Sequence, residues 1–207
     1  MRLRPLIIVT CMLCAAAPLA HAQGRGSVEI APFIGYRFGG SVGDTYSAAT
    51  YGIDGAASAG VTVSVSVGKT TAIELLFSRQ DTGVDVAAYP STQHHALTID
   101  HWMAGAVGEF PDHSGRVHPF VAAYLGLTQI QNSNGYTTSS TYFTGALGGG
   151  VKLDVAKHVA IRFDARAYYV FVSTSGGMFC GGGGCSASFS SSGLLQGEGT
   201  ASLVIKL

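Results

Sequence analysis

Apolar and polar residues alternate with a period of two along most of the chain. In the clearest stretch, four valines (Val61, Val63, Val65 and Val67) interleave with Gly60, Thr62, Ser64 and Ser66. This alternation predicts β-strands, because successive side chains of a strand point to opposite faces. No stretch with a 3.6-residue period competes with it. Similar segments recur along the chain, at 28–38, 60–67, 73–78, 97–107, 120–127, 143–153, 159–169 and 198–207.

The eight segments and their connections predict an up-and-down antiparallel β-barrel. A strand of about 11 residues, rising ~3.3 Å per residue and tilted by ~40°, covers roughly 28 Å, which matches an apolar band of ~25 Å. The connections at 69–70, 111–117 and 155–157 are short or moderate. The others are long and rich in Gly, Ser, Thr and Asn, at 39–57, 81–95, 129–141 and 173–193. Short and long connections alternate, as they do in outer-membrane barrels.

The composition favours a membrane barrel over a soluble one. Only 12% of the residues are charged, whereas 47% are hydrophobic and the mean hydropathy is +0.31. A soluble sandwich or a lipocalin-like barrel is the alternative, but it would carry more charge on its outer face. We therefore expect the apolar face of each strand to meet lipid. The balanced net charge excludes a basic nucleic-acid footprint.

Residues 1–22 have the features of a cleaved secretory signal peptide. Arg2 and Arg4 precede a short apolar stretch at 6–17, and Ala20-His21-Ala22 is an A-x-A cleavage site. The predicted mature chain is one barrel domain at 23–207. After cleavage two cysteines remain, Cys180 and Cys185. An exported protein meets an oxidising compartment, so we predict a disulfide between them, worth about 2 kcal/mol for so short a loop.

The opposite face of the strands carries most of their charged residues and predicts a polar lumen. An eight-stranded barrel is just wide enough for side chains to fill, and isolated buried charges are costly, so these ions should be paired. The predicted network has six residues. Three lie in the segment 159–169 and three in other segments: Arg162, Asp164 and Arg166, and Glu74, Asp100 and Glu198. Its centre is predicted at Glu74, Arg162, Arg166 and Glu198. A plug of this kind is the preferred interpretation, and a proton or ion path is the alternative.

Three strand motifs resemble those of the small OmpA-like outer-membrane β-barrel proteins. The stretch 28–40, VEIAPFIGYRFGG, resembles their first strand; 119–127, PFVAAYLGL, their fifth; and 161–166, IRFDAR, their seventh. The resemblance implies an outer-membrane location in a Gram-negative-type bacterium. It also implies a surrounding of lipid and lipopolysaccharide, and insertion by the barrel-assembly machinery. Family members usually end in an aromatic residue that this machinery recognises, whereas this chain ends in Leu207.

The predicted function is a structural or surface-interaction role for a monomeric barrel, whose long external loops are available to an unidentified surface partner. A channel for small hydrophobic molecules is the first alternative. Tyrosines in or beside the predicted long loops fit an interfacial girdle or adhesive contacts: Tyr46, Tyr51, Tyr136 and Tyr142.

A lipid A-modifying enzyme is the second alternative. It would need a Ser- or His-centred site, and the candidate histidines are His94, His95, His101, His113 and His118. None of them has a serine and an acid at a recognisable spacing, and the glycine run at 181–184 lacks the residues of a phosphate-binding loop. We therefore predict no catalytic site, metal or cofactor.

Overall fold

The computed structural model describes residues 27–43, 50–88, 91–110, 115–132, 138–171, 180–181, 184–185 and 193–207. The predicted signal peptide lies outside these ranges. The described residues form a closed barrel in which every strand is antiparallel to both neighbours, and the first strand pairs with the last. The eight strands are β1 Val28–Phe38, β2 Ala56–Ser66, β3 Thr71–Ala88, β4 Ser91–Glu109, β5 Val117–Asn132, β6 Thr138–Ala156, β7 Val159–Phe171 and β8 Leu194–Lys206. This confirms the predicted all-β, eight-stranded antiparallel barrel.

The two ends of the barrel differ in the connections that they carry. At the short-turn end, β2–β3, β4–β5 and β6–β7 are joined by 67–70, 110–116 and 157–158. The opposite end carries the remaining connections, and we call it the long-loop end. A short ribbon there, Ser41–Gly43 paired with Thr50–Gly52, lies within the β1–β2 connection. No helix in the described ranges is long and apolar enough to cross a membrane.

Two connections that the sequence predicted as long loops are largely strand. β3 and β4 stay paired as far as Ala88 and Ser91, and β5 and β6 as far as Asn132 and Thr138. The predictions of loops at 81–95 and 129–141 were therefore wrong in their extent. Polar composition suggested loops, but Thr, Val and Gln residues with continuous cross-strand partners form hairpins that extend beyond the rest of the barrel wall.

Burial alternates along the strands and separates the barrel interior from its outer wall. In β7, every second residue from Ala160 to Val170 is buried, and the residues between them face outward. Large apolar side chains are strongly exposed on the outer wall, with Ile34 at 72% and Leu147 at 69%. Seven strands thus place the predicted apolar face outward.

The strand β4 has the opposite orientation to the one predicted. Leu97, Ile99 and Met103 were expected outside, but they are buried in the interior, whereas Trp102 is 53% exposed on the outer wall. Both faces of β4 are rich in apolar residues, so hydrophobicity alone did not distinguish them. A one-residue error in assigning a face reverses every side chain of the strand, which also moves Asp100 outside and His101 inside.

Interior glycines make room for aromatic rings. A Cβ on Gly60 would collide with the ring of Phe33, and a Cβ on Gly105 would collide with the ring of Tyr124. Phe33 and Tyr124 belong to one buried apolar cluster with Leu76, among others. The interior is therefore filled in part by rings that lie directly against the backbone of the adjacent, hydrogen-bonded strand.

Apolar side chains are buried in the interior at the long-loop end. They form two pairs of cross-strand partners, Ile99 with Ile130 and Val170 with Leu194, and Leu97 lies two residues beyond Ile99 on the same face. All five are at most 3% exposed. We call Leu97, Ile99, Ile130, Val170 and Leu194 the apolar roof.

Candidate functional site

Six buried ionic groups form a continuous chain through the interior, with positive and negative charges in alternation. We call it the ion-pair chain. From the long-loop side toward the short-turn side it runs Arg37, Glu198, Arg166, Asp164, Arg162 and Glu74. Its three guanidinium groups and three carboxylates balance in formal charge, which removes the largest cost of burying each ion alone.

The strand geometry brings these residues together. Arg162, Asp164 and Arg166 alternate along β7 and therefore share its inward face. Glu198 on β8 is the direct cross-strand partner of Arg166 on one side and of Arg37 on the other. The chain thus follows from the register of three adjacent strands, and Glu74 reaches it across the lumen from β3.

Glu74 ends the chain on the short-turn side. Its Oε2 lies 2.6 Å from Nη1 of Arg162 and its Oε1 accepts a hydrogen bond from the Tyr124 hydroxyl at 2.6 Å. The hydroxyl of Ser64 donates to the same carboxylate at 3.0 Å. Glu74 is completely buried, and each of its oxygens has a charged or hydroxyl donor.

Asp164 joins the two halves of the chain. Its Oδ1 lies 2.8 Å from Nη2 of Arg162 and 3.2 Å from Nη2 of Arg166. The hydroxyl of Thr200 donates to Oδ2 at 3.4 Å. One carboxylate therefore contacts both of the guanidinium groups that flank it on β7.

Glu198 binds two arginines from opposite sides. Its Oε1 lies 2.8 Å from Nη2 of Arg37, and its Oε2 lies 3.4 Å from Nη1 of Arg166. The Tyr168 hydroxyl donates to Oε2 at 2.6 Å, and Ser78 bonds both Arg37 and Glu198. This carboxylate is the most densely bonded acid of the interior.

Aromatic rings cover the three guanidinium groups. The distances from the guanidinium carbon to the ring centroid are 4.2 Å for Arg162 and Phe120, 4.9 Å for Arg166 and Phe33, and 5.1 Å for Arg37 and Tyr168. Cation–π attraction of this kind is stronger where water is excluded. The rings thus bind the cations and fill the space between them, which leaves the interior both charged and closely packed.

The structure separates Asp100 from the other predicted network residues. Its carboxylate accepts hydrogen bonds from Nε and Nη2 of Arg79 at 2.7 and 2.6 Å, and the Arg79 side chain is 52% exposed on the outer wall. The placement of Asp100 in the lumen was wrong, because it depended on the reversed orientation of β4. Glu74, Arg162, Asp164, Arg166 and Glu198 lie inside and contact one another through the ion-pair chain.

The predicted network also left out three residues that bind its carboxylates. They are Arg37, Tyr124 and Tyr168, which lie on the inward faces of β1, β5 and β7. The inward position of each was already visible in the period-two pattern. What the sequence did not indicate was their contact with Glu74 and Glu198, which depends on distances across the lumen.

His101 lies inside the barrel, on the same face of β4 as Leu97, Ile99 and Met103. Its Nδ1 lies 2.6 Å from the Thr128 hydroxyl, which also bonds Thr144. Its ring stacks on Tyr168 with the centroids 4.4 Å apart and the planes 3° from parallel. This packing identifies His101 as a buried structural histidine.

The other candidate histidines are dispersed. His118 lies at the short-turn end, with Nε2 3.4 Å from Asp154. The backbones of His94 and His95 pair with Asp85 and Val84 in the projecting β3–β4 hairpin. His113 lies outside the described residues, as do Tyr46 and Tyr136. The described residues contain no cluster of three His, Cys, Asp or Glu residues that could hold a metal ion.

A second group of ions borders the short-turn end. Lys152 Nζ lies 2.5 Å from Glu109 and 3.2 Å from Glu29, and Lys206 Nζ lies 2.6 Å from Asp154. These groups line a recess with the turn 67–70. With Lys69 of that turn, three lysines and three carboxylates line the recess, so its formal charge is balanced.

The two cysteines of the predicted mature chain are backbone partners. Cys180–Gly181 and Gly184–Cys185 form a two-stranded antiparallel ribbon in which Cys180 lies opposite Cys185. Directly opposed residues have Cα atoms about 4.5–5.5 Å apart, within the range that a disulfide requires.

Several proteins of known structure have a barrel similar to this one. The Neisserial surface protein A has a TM-score of 0.61 at 14% identity, with 87% of this chain and 97% of that chain covered. OprG, an outer membrane protein from Pseudomonas aeruginosa, has a TM-score of 0.58 at 9% identity, with 88% and 96% covered. The attachment invasion locus protein Ail of Yersinia pestis, in complex with the heparin analogue sucrose octasulfate, has a TM-score of 0.51 at 14% identity, with 89% and 100% covered.

These likenesses show that the chain has the fold of the small outer-membrane β-barrels, as the resemblance to OmpA-like proteins predicted. At such identities the relationship is one of fold. No protein-family model matches the chain, and no curated protein matches its sequence.

Proposed function

We propose that the protein is an integral outer-membrane barrel of a Gram-negative-type bacterium, with a closed lumen and a structural or surface-interaction role. The observation that carries the proposal is the separation of polarity across the wall. Large apolar side chains are exposed on the outside, whereas the ion-pair chain is buried inside. A water-soluble barrel has the reverse arrangement.

The outer wall fits an apolar band with an interfacial border toward the long-loop end. Aromatic pairs lie there, with ring centroids 4.3 Å apart for Phe77 and Trp102 and 5.7 Å apart for Phe143 and Phe171. The Arg79–Asp100 pair lies just beyond Phe77 and Trp102 along the two strands. Aromatic girdles flanked by polar residues mark the membrane surface in outer-membrane barrels. Lipid and lipopolysaccharide are therefore the surroundings that we propose.

A closed lumen favours a role at the surface over transport. The ion-pair chain and its aromatic rings are buried in the middle of the barrel, and the apolar roof is buried nearer the long-loop end, which supports a closed lumen. The β3–β4 and β5–β6 hairpins extend at that end and offer a surface to an extracellular partner. We assign no catalytic reaction to the protein.

Membrane fractionation of the expressed protein, and gel electrophoresis of samples with and without boiling, test the proposal. We expect the protein in the outer-membrane fraction, and we expect the folded and boiled forms to migrate differently in mild detergent gels. The variant Leu147→Asp/Leu125→Asp, which places charges on the outer wall, should fail to insert. The matched variant Lys69→Asp, in an exposed short turn, should insert normally. A wild-type protein that stays soluble in the periplasm without detergent would refute the proposal.

A channel for small hydrophobic molecules is the second candidate, because the upper interior is lined by the apolar roof. Planar-bilayer recordings and uptake of a hydrophobic solute by protein-containing vesicles separate the candidates. The closed-lumen proposal expects no steady ionic conductance and uptake equal to that of empty vesicles. Uptake that exceeds this level and falls in Leu97→Trp would favour the channel.

A further inference from the structure

Charge is distributed unequally between the connections at the two ends of the barrel. The four long connections predicted from the sequence contain four aspartates and no lysine or arginine. Each of the three short turns, in contrast, carries one exposed lysine or arginine. They are Lys69 between β2 and β3, Arg116 between β4 and β5, and Lys157 between β6 and β7. We call these three cations the basic rim.

The cations of the basic rim are not used in the ion pairs of the barrel. Among the described residues, no carboxylate lies within salt-bridge distance of any of the three. The lysines nearer the lumen differ in this respect, because Lys152 binds Glu29 and Glu109, and Lys206 binds Asp154. The acids of the short-turn end are thus held at the mouth of the lumen, whereas the unpaired cations lie at the exposed turns.

Exposed apolar side chains accompany the basic rim. Each lies in or next to a short turn and is between 58% and 65% exposed; they are Val67, Phe110 and Val155. An apolar side chain beside a long cationic one is the arrangement of a membrane boundary. The apolar group enters the acyl region and the cation extends to the headgroups.

The spacing of the cations restricts the kind of partner that can bind them. Neighbouring short turns are two strands apart around the wall, which is about 10 Å at the usual strand separation. A single small anion cannot contact all three cations at such distances. A layer of separate anionic groups, each attached to an apolar chain, can contact every cation and the apolar side chains beside them.

We propose that the basic rim binds the headgroups of anionic phospholipids in the leaflet at the short-turn end. The phosphates meet Lys69, Arg116 and Lys157, and the acyl chains lie against the apolar outer wall. This inference rests on the proposed membrane location, but the two can fail separately. A protein that fractionates with the outer membrane and shows no preference for anionic lipid refutes the inference alone.

Native mass spectrometry of the folded protein in neutral detergent tests the inference. The probes are phosphatidylglycerol and phosphatidylcholine with the same acyl chains. We expect the wild type to prefer phosphatidylglycerol several-fold, and we expect Lys69→Gln/Arg116→Gln/Lys157→Gln to lose this preference. Arg79→Gln is the control, because it removes a half-exposed cation outside the rim and should keep the preference. Equal binding of both lipids by the wild type, a preference that the triple variant keeps, or an equal loss in the control would overturn the inference.

Chemical labelling of the wild type gives a second readout that needs no variant. In lipid nanodiscs that contain phosphatidylglycerol, an amine-reactive reagent should modify Lys69 and Lys157 several-fold more slowly than in nanodiscs of phosphatidylcholine, because a bound phosphate covers the ammonium group and keeps it protonated. Lys206, which binds Asp154 at 2.6 Å, is the internal control and should react equally in both. Equal rates for the rim lysines in the two lipids would overturn the inference.

Discussion

At the scale of single residues, the stability lost when an ion is removed depends on which side of the barrel wall the ion occupies. Arg162 and Arg79 each bind a carboxylate at 2.6 Å, yet the side chain of the first is 6% exposed and that of the second 52%. A buried ion pair contributes little net stability by itself, but removal of one partner leaves a costly unpaired charge. On the outer wall Asp100 is itself only 3% exposed, but its partner Arg79 is 52% exposed, so loss of Arg79 opens the carboxylate to solvent and should cost less.

The variant Arg162→Ala should therefore destabilise the folded barrel strongly. It leaves Glu74 and Asp164 without their shared cation, and we expect a loss of about 3–5 kcal/mol in the free energy of unfolding. The measurement is urea unfolding of protein refolded into detergent micelles or lipid vesicles. Arg79→Ala is the matched control, and we expect a smaller loss, because the Asp100 carboxylate that it frees is opened to solvent on the outer wall. Equal losses for the two variants would contradict the placement of Arg162 in a dry interior.

At the scale of the strand, glycines allow side chains of the adjacent strand to pack against the backbone. Gly60 and Gly199 both lie in barrel strands, but only the first faces a neighbour that a Cβ would strike. The position of a Cβ on Gly60 meets a backbone oxygen and the ring of Phe33, whereas a Cβ on Gly199 meets nothing within 4 Å. The same residue type is thus a packing requirement in one strand and a tolerated choice in another.

Gly60→Ala should consequently destabilise the barrel, and Gly199→Ala should not. Phe33 would have to leave its position against β2, at a cost of about 1–3 kcal/mol for overpacking. Urea unfolding under the same conditions compares the two variants with the wild type. The additional variant Gly60→Ala/Phe33→Leu should recover part of the loss, since the smaller side chain relieves the ring contact. No recovery would show that the collision involves the backbone alone.

The cysteine ribbon gives a second prediction at the strand scale. Because Cys180 and Cys185 are opposed on two short antiparallel strands, a disulfide can join them without rearranging the backbone. Mass spectrometry of the exported protein should find this pair oxidised, with a mass two hydrogen atoms lower than the reduced form. Alkylation of both thiols in protein purified without reductant would exclude the disulfide.

The strands also show how far the sequence could predict the structure. Seven strands have one clearly apolar face, and for these the period-two pattern identified the outer wall. In β4 the inward face carries Leu97, Ile99 and Met103, but the outward face carries Trp102 and alanines, so the contrast between the faces was lost. The error arose because part of this lumen is apolar, which a rule of polar interiors does not anticipate.

The ion-pair chain could be predicted in membership but not in connectivity. Alternation along β7 places Arg162, Asp164 and Arg166 on one face, and this much is local. The contact between Arg37 and Glu198 depends on the register by which β1 closes on β8, more than 150 residues apart in sequence. The hydrogen bond from Tyr124 to Glu74 crosses the lumen and depends on the barrel diameter.

At the scale of the whole molecule, the barrel resolves an apparent conflict between composition and sequence pattern. The chain is apolar on average, yet its hydrophobic residues are dispersed one in two along the strands. Closure of the sheet turns this dispersed pattern into a continuous apolar outer wall and gathers the charged residues of the ion-pair chain into paired positions inside. The low charge content is thus a property of a molecule that we propose is surrounded by lipid.

The single tryptophan can report the orientation of that wall. Trp102 is 53% exposed, its ring contacts that of Phe77 on the outer wall, and it belongs to the strand whose faces the sequence misassigned. In refolded protein, its fluorescence should be quenched strongly by lipids brominated on their acyl chains, most by those brominated near the headgroup. A control with the tryptophan moved to the interior, Trp102→Phe/Phe120→Trp, should be quenched weakly, because Phe120 is 4% exposed. Weak quenching of the wild type, or equal quenching of both proteins, would contradict a lipid-facing outer wall. Because only an outward Trp102 in a lipid-embedded barrel gives the expected difference, one measurement tests the β4 register and the membrane location together.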